Sequence, residues 1–283
     1  MPKAYTEELV YIEAEDGLPL EGAVIRPASG ESKPIPLVWV HGLTGKFYAK
    51  PAVLIGRELA SRGYTFITGN NRGHDFGYPY RANPNEQPRI YGGGWELLSE
   101  SHRDVGAWIS FAVGLGFPAV ALLGHSLGAR KVVRYQCDRQ DARVRGLVAA
   151  SPPMLRPNHE LVAKAEALVA AGRGQDLLPW GSSPAGGGTM CAAAYLDRAA
   201  LPWDLFGIED PSSPISTVRC PLLALYGSDE VWVGGQKELD LIKQRATGAT
   251  RVTTHLIANA DHSYTGHHDP VATALAGWLE TLG

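Results

Sequence analysis

The sequence predicts an α/β protein whose sheet is mostly parallel and covered by helices on both faces. Three observations carry this. Apolar runs of strand length alternate with segments of helical spacing along most of the 283 residues, and such alternation builds right-handed crossovers onto a parallel sheet. Ala119 to Leu123 is apolar without interruption, which suits a strand buried on both faces. That run ends in Gly124-His125-Ser126-Leu127-Gly128, and a helical segment from Leu127 to Cys137 follows at once, the strand-to-helix turn of a G-x-S-x-G pentapeptide.

Glu7 to Ala14 and Leu18 to Ile25 read as two strands joined by Glu15-Asp16-Gly17, a hairpin turn sequence. Ile35 to Val40 is a third strand, running into His41-Gly42-Leu43-Thr44-Gly45. Val53, Leu54, Ile55, Leu59 and Ala60 recur at helical spacing between Pro51 and Arg62, and Gly63 stops that helix. Tyr64 to Thr68 is the next strand. Residues 75–95, rich in Gly, Pro, Tyr and Asn, read as one long loop, with Gly92-Gly93-Gly94 a flexible lead into a helix over Ser99 to Gly114. Strands are then expected at Val144 to Ala150, Pro221 to Tyr226 and Arg251 to Ile257, and helices at Gln236 to Ala246 and Pro270 to Leu282.

The rhythm breaks over about seventy residues between the strands at Val144 and Pro221. Asn158 to Ala171 and Thr189 to Ala199 read as helices, joined by a loop over Gly172 to Gly188 with glycines at 186 to 188. The expected organisation is a core of residues 1–152 and 216–283, with residues 153–215 inserted as a helical cap over the sheet's carboxyl edge. Trp180, Trp203 and Phe206 are the cap side chains expected to line a substrate pocket.

Composition excludes several function classes. Twenty-nine acidic against 26 basic residues give a formal net charge of -3, and no run of Lys or Arg offers a nucleic-acid footprint. No stretch has the length of a membrane span, and the acidic first 17 residues lack a signal-peptide apolar core. Cys137, Cys191 and Cys220 are odd in number and lack C-x-x-C spacing, which suits buried thiols in a reducing cytoplasm. His262, His267 and His268 do not have metal-ligand spacing, and no Lys-Ser/Thr follows Gly94 as a phosphate loop requires. No metal or cofactor is expected.

Four stretches in this order resemble the α/β-hydrolase family: His41-Gly42-Leu43, Arg72-Gly73-His74, Gly124 to Gly128, and Ala260-Asp261-His262, with Ala where the family usually has Gly. The resemblance covers nearly the whole chain and implies a sheet of about eight strands with helices on both faces and a small helical cap. It implies Ser126 as nucleophile, His262 as general base and acid, and the backbone N–H groups of Leu43 and Leu127 as the oxyanion hole. The family's acid lies three residues beyond the strand-ending glycine. Gly227 plus three is Glu230, while residue type favours Asp229 one position earlier; Glu230 is the expectation and Asp229 the alternative. His41 is a turn residue in the family.

The implied activity is cofactor-free hydrolysis of a small-molecule ester through an acyl-enzyme. Thioester, lactone and carbon–carbon bond cleavage would use the same parts. A peptidase would need a charged pocket, for which Glu96, Glu100 and Asp104 are the available acids, and a receptor or scaffold without turnover has no use for Ser126 and His262. Neither oligomeric state nor physiological substrate is legible in the sequence.

Overall fold

A computed structural model of the protein describes residues 4–81, 85, 87–154, 156–183, 188–230 and 232–283. Two antiparallel strands open it, β1 (Tyr5–Glu13) and β2 (Pro19–Pro27), turning where Gly17 N–H reaches Ala14 O at 2.9 Å. The remaining strands of the main sheet are β3 (Leu37–Val40), β4 (Phe66–Gly69), β7 (Val120–His125), β8 (Val144–Ala150), β9 (Leu222–Gly227) and β10 (Val252–Ile257). Their spatial order is β1-β2-β4-β3-β7-β8-β9-β10, and every pairing from β4 to β10 is parallel.

Period-two alternation splits the core into two layers. Val38, Val40, Leu122 and Leu147 face one side, while Leu37, Trp39, Leu123 and Val148 face the other. The first side is covered by α2 (Ser101–Gly114), α3 (Leu127–Arg139) and α6 (Gln236–Arg245), the second by α1 (Lys50–Ser61) and α7 (His268–Leu279). The chain passes from β3 to β4 on one flank and later returns to β7 on the other, so the carboxyl ends of β3 and β7 form a topological switch point, where a crevice opens.

The stretch over 75–95 is more ordered than a loop. Tyr78–Tyr80 (β5) and Arg89–Tyr91 (β6) pair antiparallel, and Tyr78 stacks on both His74 and Tyr91. The three glycines after β6 are held rather than flexible: the N–H groups of Gly92, Gly93 and Gly94 donate to the carbonyls of Arg72, Asp75 and Phe76 at 2.8 to 2.9 Å. Residues 82–84 and 86 of that loop lie outside the described residues.

Between β8 and β9 lie α4 (His159–Ala170), capped by the Asn158 side chain, and α5 (Ala192–Ala200). They share a small core of Ala165, Leu178, Met190, Ala192 and Tyr195. The expected glycines at 186 and 187 lie outside the described residues.

Arg72, fully buried, ties the hairpin, the β4 exit and α2 together. Its backbone N–H and guanidinium both donate to Asp104, and the guanidinium also reaches Asp16 at 3.1 Å and Glu100 at 2.8 Å. Asp104 is likewise fully buried, so its charge has no solvent to fall back on. An Arg72→Met variant is expected to lose about 3 to 5 kcal/mol of unfolding free energy, because Asp104 keeps its burial and loses its cation. Asp16→Asn, at the rim, should cost about 1 kcal/mol or less. Urea denaturation midpoints check both, and equal losses would contradict the assignment of Asp104 as the critical partner.

Candidate active site

At the carboxyl end of β7 the backbone makes a turn that only small neighbours permit. Ser126 sits at φ 57° and ψ -125°, a sparsely populated conformation for a residue with a side chain. A Cβ on Gly124 would lie 2.1 Å from the Gly128 carbonyl oxygen, and one on Gly128 would lie 2.1 Å from that of Val40. The turn is fixed on both sides, with Ser126 N–H donating to Ala150 O at 2.8 Å and Ala129 N–H to Ser126 O at 2.9 Å. α3 begins at Leu127, whose N–H belongs to the helix's first turn and has no intrahelical acceptor.

The structure brings Ser126, His262 and Glu230 into one line. Ser126 Oγ is 2.9 Å from His262 Nε2, and His262 Nδ1 is 2.7 Å from Glu230 Oε2. An ionised carboxylate only accepts, so Nδ1 carries the ring proton and Nε2 is left to accept from the serine hydroxyl. Asp229 takes no part: its exposed carboxylate accepts from Ser228 Oγ at 3.0 Å. The turn after β9 aims residue 230 inward, with Val233 N–H donating to Glu230 O at 2.8 Å. Val231 lies outside the described residues.

Glu230 is completely buried and its other oxygen is saturated, accepting from Gly227 N–H at 2.6 Å and from Ser151 Oγ–H at 2.5 Å. Tyr264 O–H in turn lies 2.6 Å from Ser151 Oγ. Because Ser151 spends its proton on Glu230, Tyr264 is the donor in that second bond. His125 fixes the same loop from below, its Nε2 2.7 Å from the His262 carbonyl oxygen while its ring stacks on Trp39. Sequence reasoning assigned no role to Ser151, Tyr264 or His125. The one local signal for them is position: each directly follows or ends a strand, or sits two residues from His262.

The β3 exit closes the other side of the crevice. A Cβ on Gly42 would come 2.8 Å from Ser126 Cβ, so the His41-Gly42-Leu43 turn lies directly against the serine. Gly93 packs under Leu43 and Thr44 and supports that turn. Asn71 N–H donates to His41 Nε2 at 3.0 Å, and Nδ1–H of the same ring donates to Gly42 O at 2.8 Å. With both nitrogens used this way, the ring is neutral. Burial first, and then the nearby Lys131 charge, draw the His41 pKa down to about 3.

Ser126 and His262 open onto a cavity of about 480 Å³, walled also by Leu43, Leu127, Met154 and Arg198. A second cavity of about 210 Å³ adjoins it, sharing Leu127, Ser183 and Arg198. Of the three aromatics expected to line a substrate pocket, none stands at the wall of the serine's cavity. Trp180 points outward and is 80% exposed. Trp203 lines the smaller cavity beside Arg156, and Phe206 is buried in the main core beneath Arg130. Trp39, Phe76 and Trp232 are instead the Trp and Phe side chains at the cavity wall, the Trp232 ring centroid 5.1 Å from that of His262.

A family model described as "Alpha/beta hydrolase family" matches residues 37–274. No curated protein matches the sequence. Among solved structures, Est1E from Butyrivibrio proteoclasticus with ferulic acid bound is similar at a TM-score of 0.69 and 17% identity, covering 96% of this chain and 98% of that one. A soluble variant of monoglyceride lipase from Saccharomyces cerevisiae, in complex with a substrate analogue, is similar at 0.69 and 18%, covering 100% and 99%. The esterase domain of a Rhodothermus marinus protein is similar at 0.64 and 18%, covering 98% and 100%. At such identities the likeness carries the fold alone.

Two imidazoles, His41 buried and His125 half-buried, make the site acid-sensitive. His125, like His41, is drawn from 6.5 down to about 3, by burial and then by the neighbouring His262. As pH falls through about 6.5 the unfolded chain binds protons that the folded chain refuses, so stability present above that pH is progressively lost toward about 3. The melting temperature should therefore fall between pH 7 and pH 5, above the range in which ordinary carboxylates titrate, with a shallower fall in a His125→Gln variant. Thermal melts across that range check this, and a flat profile for the parent protein would refute it.

Proposed function

The chain belongs to the alpha/beta hydrolase family, and from that premise we propose that it is a serine hydrolase cleaving a carboxylic ester through an acyl-enzyme. The observation that carries the reading is His262, bonded at one nitrogen to the Ser126 hydroxyl and at the other to a buried carboxylate. The oxygen of Ser126 attacks the ester carbonyl carbon while its proton passes to His262 Nε2. The carbonyl oxygen becomes an oxyanion, facing the N–H groups of Leu43 and Leu127. Collapse re-forms the carbonyl and breaks the bond to the alkoxy group, which leaves as the alcohol with the proton from His262. Water then repeats the sequence on the acyl-serine, releasing the acid and returning the proton to Ser126.

Glu230 holds the imidazole in the productive tautomer and offsets the charge of the imidazolium that forms. Residues 153–215 act as a cap whose contribution to the pocket includes Met154, Ser183, Thr189 and Arg198. The choice of an ester as the bond broken is supported by the esterase domain and the monoglyceride lipase among the similar structures. A peptidase finds less support, because the acids it would use on a chain terminus are committed: Glu96 to Lys131, and Glu100 and Asp104 to Arg72.

With a panel of 4-nitrophenyl esters of graded acyl length, Ser126→Ala is expected to lower kcat by about 10⁴ or more, and Glu230→Gln by roughly 10³ to 10⁴. Asp229→Asn should stay within about threefold of the parent, its side chain being a solvent-facing partner of Ser228. A fluorophosphonate probe should label the parent protein and not Ser126→Ala. Equal labelling of the two, or collapse of turnover in Asp229→Asn alone, would overturn the assignment.

A further inference from the structure

Arg198, near the end of α5, forms part of the wall common to both cavities. Its side chain is only 9% exposed, yet its hydrogen-bonding capacity is largely unspent. Nη2 lies 3.4 Å from Gly93 O and 3.6 Å from Glu96 Oε2, while among the described residues Nε and Nη1 find no hydrogen-bond partner. Ser183 Oγ, on the same shared wall, is also buried and finds no hydrogen-bond partner among the described residues. Arg72, buried more completely still, has every guanidinium nitrogen on a carboxylate, so burial alone does not account for the open donors of Arg198.

Charge shows the same imbalance. Glu96 is shared between Arg198 and the fully buried Lys131, whose Nζ lies 2.5 Å from it. Arg130, in the first turn of α3, is buried too and, among the described residues, donates to the neutral carbonyls of Pro153 and Trp203, at 3.2 and 2.8 Å. Burial draws Arg130 down to about 10, which leaves it charged at neutral pH. Among the described residues, Glu96 is the one carboxylate within ion-pair distance of these three buried cations behind the serine; Asp104, Asp197 and Asp204 act on them only from farther away. The smaller cavity is walled in part by Arg130, Arg134, Arg156 and Arg198, and among the described residues neither cavity has an Asp or Glu in its wall. Buried cations are costly unless something of opposite charge completes them, and a guanidinium fork matches an oxyanion group in shape as well as sign.

We propose that Arg198 is a specificity residue that seats an anionic oxygen group of the substrate, a carboxylate or a phosphate, next to Ser126. Arg130 supplies further positive field, and Ser183 a hydroxyl donor. The substrate class is then an ester whose acyl or alcohol part ends in an anion, such as the half-ester of a dicarboxylic acid. This deepens the serine-hydrolase reading and rests on it.

Two measurements separate the inference from that reading. In the first, glutarate, adipate and inorganic phosphate are titrated calorimetrically into the Ser126→Ala protein, with adipamide as the uncharged control. At least one anion should bind and adipamide should not. Adding Arg198→Met should weaken binding by roughly 30-fold or more, with Arg198→Lys in between because it keeps the charge and loses the fork. A stronger response to phosphate than to the dicarboxylates would identify a phosphorylated substrate.

In the second, kcat/KM is compared for the 4-nitrophenyl monoester of adipic acid and for its neutral methyl adipate counterpart. The charged ester should be preferred by the parent protein, and the ratio should fall by roughly 30-fold in Arg198→Met. Absence of anion binding in Ser126→Ala together with a ratio near one in the parent protein would overturn the anion seat, whether or not Arg198→Met folds. Anion binding retained while no ester is turned over would instead sink the hydrolase reading and leave the seat standing.

Discussion

The buried carboxylate of Glu230 is the constraint on which the site's geometry depends. A charge removed from water must be repaid by donors from the protein, and here three are supplied from different elements. Gly227 N–H comes from the end of β9, Ser151 from the end of β8, and His262 from the loop after β10. Satisfying one anion therefore registers the carboxyl ends of three neighbouring strands against one another. The fourth, β7, joins through the bond between His262 and Ser126, and a fifth, β3, through the contact of Gly42 with that serine. A parallel sheet ends its strands at one edge, and the buried acid is what turns that edge into a single crevice.

This dependence explains which features were legible in the sequence. Leu122, Leu123 and their neighbours are apolar on both faces because helices cover both, so strand placement could be read from composition alone. The elbow was legible because its constraint is local: Gly124 and Gly128 are required by contacts within a few residues or with the adjacent strand. Glu230 could be reached by counting from Gly227, since a turn has fixed length. Ser151 and Tyr264 could not, because a bond spanning 113 residues leaves no mark on the residues around either partner. The same is true of the ribbon over β5 and β6. Two three-residue strands have too few positions to show an alternation, and their pairing is set by Tyr78, Tyr91 and the glycines that follow. The cap aromatics failed for a related reason: outside regular elements, residue type says nothing of side-chain direction, and Trp180 turns to solvent while Phe206 turns into the core.

The molecule handles its buried charges in two distinct ways. Around Arg72 the accounts are closed, with Asp104, Asp16 and Glu100 taking every guanidinium nitrogen and Arg89 and Arg103 balancing the outer carboxylates. Such a cluster has nothing left to offer a ligand, and its role is to hold the β4 exit against α2. Around Arg198 the same residue type is left with open donors and one shared carboxylate. Identical chemistry thus separates into a structural and a receptive use according to saturation alone, a distinction that requires coordinates.

The receptive cluster also bears on how the proposed chemistry would be driven. An ester carbonyl presented to Ser126 must lie within reach of the hydroxyl and of both oxyanion N–H groups at once, and a flexible substrate loses entropy in meeting that demand. An anion seated on Arg198 would fix a remote point of the substrate on the wall that already borders the serine's cavity, so the ordering cost is met by an interaction away from the reacting bond. The same cations lie on the side of the crevice where α3 begins and where the oxyanion would develop, and their field favours negative charge there. Arg130 ends the first turn of that helix and Lys131 follows it, three and four residues after Leu127. A helix start that already favours anions through its free N–H groups is therefore backed by two fixed positive charges, and this is the physical reason to expect negative charge, whether on the substrate or in the transition state, to be what the site is built around.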